Sequence, residues 1–233
     1  MSGRQLVLDL PHRPAMGGED FLITSDNRAA VDWIDRWPDW PGRALVIHGP
    51  PGCGKTHLVQ VWRQVSGARL MAAEALDFKR DADGLAEGGA LAIEDCGPGL
   101  AEEGLLHLLN WTRERRGSLV LTGRTAPARW PLALDDLRSR LRALTTIAVA
   151  PPGDTLIAAL LVKLFADRQI RVGDEVIAYL VARMERSFAA ARDLVAAIDA
   201  RALSQRRRIT IPLAREVLAI ASADGLRFPK ARK

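Results

Sequence analysis

Between positions 43 and 150 the chain alternates short, almost wholly apolar runs with longer amphipathic ones. Ala44-Leu45-Val46-Ile47-His48 is the clearest short run, and residues 69–72, 90–94, 118–122 and 145–149 read as further strands. Helical spacing is seen at 56–65. At 102–115, Leu105, Leu106, Leu108, Leu109 and Trp111 mark the buried side of a second helix. Near-continuous apolar strands alternating with helices predict an α/β fold whose parallel sheet is covered on both faces.

The pattern changes at Pro151-Pro152-Gly153. Asp154 is placed to cap a helix that carries Leu156, Ile157, Leu160, Leu161, Leu164 and Phe165. Helices follow at 174–185 and 189–205, and a last one starts near Thr210 with Pro212 in its first turn. Only 208–211 keeps a short strand signal. The expected organisation is an N-terminal peptide over 1–18, an α/β body over 19–150, a small all-helical domain over 151–224 and a basic tail over 225–233.

At 233 residues the chain has room for one large domain or two small ones. Its 48% hydrophobic and 26% charged residues exclude a disordered or fibrous protein. Cys53 and Cys96 are the only cysteines, too few for a disulfide framework, so a reducing cytoplasm is expected. Arg4, Asp9 and Arg13 interrupt any signal-peptide core, and no apolar run reaches spanning length, so no membrane partner is expected. The net charge of +5 invites a nucleic-acid reading, but its location argues otherwise. Residues 201–233 hold nine basic and two acidic groups, a net +7, which leaves −2 for the first 200. Direct DNA binding is expected to be weak or absent.

Gly49-Pro50-Pro51-Gly52-Cys53-Gly54-Lys55-Thr56 satisfies the phosphate-loop pattern G-x-x-x-x-G-K-[ST], directly after a predicted strand and opening a helix. Glycines allow backbone N–H groups to turn inward around phosphates, and the helix N-terminus adds positive potential. Lys55 is expected on the β- and γ-phosphates and the Thr56 hydroxyl on Mg²⁺. The strand 90–94 ends in Glu94-Asp95. Glu94 would hold Mg²⁺ through water and Asp95 would orient an attacking water. The expected ligand is a nucleotide, ADP or ATP, with Mg²⁺.

These residues resemble the AAA+ ATPases, and within them the DnaA branch of bacterial replication initiators; the resemblance covers nearly the whole chain. Leu119-Val120-Leu121-Thr122-Gly123-Arg124 is similar to the sensor 1 strand, placing Thr122 at the nucleotide. Leu137-Arg138-Ser139-Arg140-Leu141 is similar to the arginine-finger box, and Ala189-Ala190-Ala191-Arg192-Asp193-Leu194 to the sensor 2 helix. Phe21-Leu22-Ile23 with Ser25-Asp26-Asn27 resembles the segment beside the adenine, which implies Phe21, Ile23 and Asn27 as nucleotide contacts. The resemblance implies a body with a five-stranded parallel sheet and a small helical lid. It also implies that Arg140 acts in trans on a neighbouring ATP site and that Arg192 reports nucleotide state from the lid. On its own residues Arg140, with Arg138 and Arg142 beside it, reads as a surface group in a basic loop, and Arg192 as a helix-surface ion pair.

Two departures from the family pattern bear on function. The acids run Glu then Asp where the wider family has Asp then Glu, which sets the presumed base back by one methylene, roughly 1.5 Å, a displacement to which catalysis is sensitive. Weak or absent turnover is expected, with binding retained. The sequence also stops about where an initiator's DNA-binding domain would begin, so the expected partners are proteins first. Arg4-Gln5-Leu6-Val7-Leu8-Asp9-Leu10-Pro11 resembles the peptide by which replication proteins dock on the sliding clamp of DNA polymerase, with Gln5 as polar anchor and Leu6, Leu8 and Leu10 as apolar contacts. The same alternation fits an edge strand.

Together these features resemble the regulatory members of the DnaA branch, which imply the initiator DnaA and the clamp as partners, a possible homo-oligomer, and promotion of ATP hydrolysis by DnaA. A helicase-loader-like nucleic-acid-binding protein and a small-molecule kinase are the alternatives. Trp33, Trp37 and Trp40 are expected to pack over the sheet edge. His12, His48, His57 and His107 lack metal-like spacing, and Arg206-Arg207-Arg208 reads as a solvated helix end.

Overall fold

The computed structural model describes residues 12–13, 21–22, 27–77 and 88–223. The chain divides into two compact units. One comprises described residues 27–150; the other combines 151–223 with the short strands β1 (His12–Arg13) and β2 (Phe21–Leu22), which pair antiparallel.

The first unit follows the predicted alternation. After α1 (Arg28–Asp35) come β3 (Ala44–His48), α2 (Lys55–Ser66), β4 (Arg69–Ala72), β5 (Ala90–Cys96), α3 (Glu102–Glu114), β6 (Ser118–Gly123), α4 (Asp135–Ala143) and β7 (Thr145–Ala148). The five strands form one parallel sheet in the order β4-β5-β6-β3-β7. β3 is almost fully buried, as its unbroken apolar run requires of a central parallel strand. Side chains alternate between faces along each strand. Ala44, Val46, Leu91, Ile93, Leu119 and Leu121 share one core with Leu105, Leu108 and Leu109 of α3 and with Leu137 and Leu141 of α4. Leu106 and Trp111, expected on the buried side of α3, are half-buried at the margin of that core. α2 packs on β5 and β6 and against α1, with Leu58, Val59, Val61 and Trp62 buried.

The predicted aromatic packing is present. Trp40 is buried and its ring lies 5.3 Å from that of Trp62, while Trp37 Nε1 donates to Ser118 Oγ at 2.9 Å. Two starts and stops differ from expectation. Asp154 is the first helical residue of α5 (Asp154–Asp167) and Gly153 occupies the cap, so the carboxylate acts through the helix dipole and a 2.7 Å ion pair with Arg186. Residues 208–211 form no strand: Arg206 ends the preceding helix in a left-handed conformation, and the chain passes directly into the next.

That second unit packs α5, α6 (Asp174–Val181), α7 (Phe188–Gln205) and α8 (Ile211–Ala223) around Ile157, Leu161, Phe165, Leu180, Leu194 and Ile198. Ser187 caps α7, its hydroxyl accepting from Ala190 N at 3.1 Å. Arg206, Arg207 and Arg208 are exposed, and Arg207 reaches Glu216 at 3.5 Å, which matches a solvated helix end. Among the described residues no helix is long and apolar enough to cross a membrane.

Candidate functional site

The phosphate loop is built at the C-terminal end of β3, an interior strand of the sheet, the place where open α/β sheets bind ligands. Gly49 N donates to Gly123 O at 3.1 Å, which ties the start of the loop to the end of β6. A Cβ on Gly49 would stand 2.2 Å from Val149 O and 2.8 Å from Cys53 Sγ, so only glycine fits there. Gly52 and Gly54 take φ of 74° and 102°, the left-handed region that glycine enters without strain. These turns lead the loop into α2, whose first-turn N–H groups have no intrahelical partner, the arrangement by which helix N-termini bind anions.

Lys55 Nζ donates to Gly49 O at 2.8 Å and to Pro50 O at 2.9 Å, and lies 3.8 Å from Cys53 Sγ. The ammonium is therefore held over the loop by two of the loop's own carbonyls. Thr56 is exposed at the start of α2. Cys53 is buried, and desolvation raises its thiol pKa against the pull of the Lys55 charge. Pro50 and Pro51 are exposed on the outside of the turn.

The acid pair stands two strands away from β3, roughly 10 Å in strand spacings. Glu94 follows Ile93 in alternation and so takes the same face as Ala92, opposite the α3–α4 core. Its Oε1 is buried and has no hydrogen-bond partner. A buried carboxylate oxygen left unpaired is costly, and a cation or its water shell would satisfy it. This orphaned oxygen, with the exposed Thr56 and the loop's N–H groups, fits a Mg²⁺–nucleotide.

Asp95 breaks the alternation. It has φ of 58° within the register shift between Ile93 and Cys96, so the pairing resumes only at Cys96 with Gly123. Its N–H donates to the buried Thr122 hydroxyl at 3.3 Å. Thr122 on β6 thus stands between the loop strand and the acid strand and holds the bulge. Cys96, just beyond, is buried, and burial with the Asp95 charge pushes its thiol up to about 12.

Arg140 lies on α4, half-exposed, with Nε 3.1 Å from Asp136 Oδ1. Leu137 and Leu141 seat that helix in the core and leave the arginine on its outer side. Asn27 is buried at the start of α1 and its carbonyl accepts from Val31 N at 3.0 Å. Phe21 falls in β2, and Arg192 is exposed on α7 in the helical unit. Ile23 and the peptide residues Gln5, Leu6, Leu8 and Leu10 lie outside the described residues.

Two residues near these elements have no signal in the sequence. His48, at the start of the loop, has its pKa lowered by partial burial and by the charges of Arg129 and Lys55. Glu102 accepts from Ala133 N and Leu134 N, the backbone leading into α4. Its partners are 31 and 32 residues distant, beyond the reach of any local motif.

The class is that of a phosphate-loop α/β fold, a five-stranded parallel sheet followed by a helical unit. The fold is similar to domain III of DnaA from Thermotoga maritima, with a TM-score of 0.71 at 17% identity over 86% of this chain and 94% of that one. It is also similar to AMPPCP-bound DnaA from Aquifex aeolicus (TM-score 0.62, 16% identity, 77% of this chain, 62% of that one) and to a RuvB variant from Thermotoga maritima (0.62, 16%, 76% and 61%). Residues 154–218 match the family described as Hda, lid domain.

Proposed function

We propose that this protein is a clamp-associated AAA+ regulator that promotes hydrolysis of ATP bound to the initiator DnaA and so limits re-initiation of replication. The lid match at 154–218 carries the reading, because the body's fold is shared with AAA+ proteins as different as DnaA and RuvB. Adenine nucleotide, as ADP or ATP, is the proposed ligand of the phosphate loop; a DnaA of the same fold is seen with AMPPCP. The loop's N–H groups receive the phosphates, and Lys55 exchanges two neutral carbonyls for anionic oxygens, which accept stronger hydrogen bonds. Thr56 and Glu94 would hold Mg²⁺, Glu94 through water. The ion, when bound, neutralises phosphate charge.

Asp95 is the candidate base, one methylene shorter than the family's, and the chain's own turnover is weak or absent on this reading. Arg140 performs the regulatory step. A fixed guanidinium fork meets charge spread over γ-phosphate oxygens in a neighbouring DnaA, a contribution worth ~10³–10⁵ in rate among phosphate-loop GTPases. Gln5, Leu6, Leu8 and Leu10 bring the protein to the clamp.

Arg140→Ala is expected to abolish stimulation of DnaA's ATP hydrolysis while leaving clamp capture intact. Undiminished stimulation by that variant sinks the trans mechanism. Replacing Gln5 and Leu6 by Ala is expected to remove clamp capture, and persistent capture overturns the docking assignment.

A further inference from the structure

We infer that Glu102 is a positioning residue for Arg140, setting the direction of the arginine-bearing helix from the end of the strand that carries Glu94 and Asp95. The inference rests on the proposed trans role of Arg140. Helix α4 begins without a side-chain cap of its own, since Leu134 occupies the cap position. An outside acceptor instead holds the two residues that lead into the helix. One Glu102 oxygen accepts from Ala133 N at 2.9 Å and the other from both Ala133 N at 2.9 Å and Leu134 N at 2.7 Å. A carboxylate bonded to two successive N–H groups at a helix start is a charge-assisted contact favoured by the helix dipole. These bonds hold the Glu102 carboxyl below the usual carboxylate range.

The same end of α4 is closed from the other side by Arg138, which pairs with Asp135 at 2.6 Å and donates to the Leu132 carbonyl. Residues 132–135 are thereby clamped between one acid and one guanidinium, and Arg140 projects from the other end of the helix. Six residues separate Leu134 from Arg140, a lever of about 9 Å along the axis. A tilt of about 10° at the clamp would move its far end by roughly 1.5 Å, and misplacement by 1 Å can cost ~10² in rate. Leu137 and Leu141 fix how deep the helix sits; the Glu102 clamp fixes where it starts.

Glu102 is also the first residue of α3, and a five-residue connection joins it to β5. A change at the acid pair on nucleotide binding therefore has a short covalent path to Glu102, and from there two N–H bonds to the start of the helix that bears Arg140.

The experiment compares wild type, Glu102→Ala, Glu102→Gln and Arg140→Ala in DnaA ATP hydrolysis, each titrated to saturation with the clamp present. Thermal unfolding and nucleotide affinity verify that each variant is folded. Glu102→Ala is expected to lower the saturating rate by ~10- to 100-fold, with the half-saturating concentration changed less than ~3-fold. Glu102→Gln, which keeps one carbonyl acceptor, is expected to recover part of that rate. An unchanged saturating rate in Glu102→Ala, or a loss confined to the half-saturating concentration, overturns the positioning role while a dead Arg140→Ala leaves the trans mechanism standing. Full stimulation by Arg140→Ala overturns both.

Discussion

The backbone N–H of Asp95 donates to the buried hydroxyl of Thr122 at 3.3 Å, tying the bulge of β5 to the end of β6. Asp95 is held with φ of 58°, the left-handed region that is uncommon for a non-glycine residue and least costly for Asn and Asp. Thr122 accepts the N–H of that residue, so its role is mechanical before it is chemical. Replacing it by Val keeps the shape and removes the acceptor, which is expected to cost about 1 kcal/mol in urea unfolding. Thr122→Ser keeps the hydroxyl and is expected to recover most of the loss. Equal stability of Val and Ser variants would show that this bond does not hold the bulge.

Two glycines separate steric from conformational demands. Gly49→Ala would put a methyl group 2.2 Å from Val149 O, a backbone atom unable to move alone. About 3 kcal/mol of destabilisation and loss of nucleotide binding are expected. Gly67, with φ of 66°, ends α2 in open space. Gly67→Ala should lose only about 1 kcal/mol, from the left-handed backbone, with binding unchanged. Thermal unfolding and a fluorescent-nucleotide titration of both variants distinguish the two cases.

Lys55 Nζ donates to Gly49 O and Pro50 O, over the loop that the phosphates would enter. Lys55→Ala removes a charge-assisted contact of about 1.5–3 kcal/mol, so nucleotide affinity is expected to fall ~10- to 150-fold. The same titration checks it, and unaltered affinity would place the phosphates away from this loop.

Glu102 and Glu216 supply a pH dependence. Glu102 is held low by the Ala133 and Leu134 N–H groups and Glu216 by Arg201. A carboxyl whose pKa is lower folded than unfolded contributes stability above its unfolded value, here near 4.5, and loses it as pH falls through the lowered folded value. Urea unfolding of Glu102→Gln and Glu216→Gln should show each variant weaker than wild type at pH 7. That difference should shrink as pH falls below about 4.5. A difference constant with pH would remove the carboxylate charge as its source.

Sequence by itself determined the five strands of the parallel sheet, the phosphate loop and the helices that follow Pro151-Pro152, though not the loss of the strand signal at 208–211. The cause is local: a buried parallel strand must be apolar on both faces, as at 44–48, and a loop that turns inward on phosphates must have glycine where φ is positive, as at Gly52 and Gly54. Tertiary structure alone decided the order β4-β5-β6-β3-β7, which sets Thr122 between the loop and the acids. It also decided the bulge at Asp95, the burial of Glu94 Oε1 without a partner, and the Glu102 clamp on Ala133 and Leu134. Each joins groups far apart in the chain, or depends on which oxygen of a carboxylate is shielded from water. Periodicity reports which face a residue occupies, and it contains nothing about what that face meets.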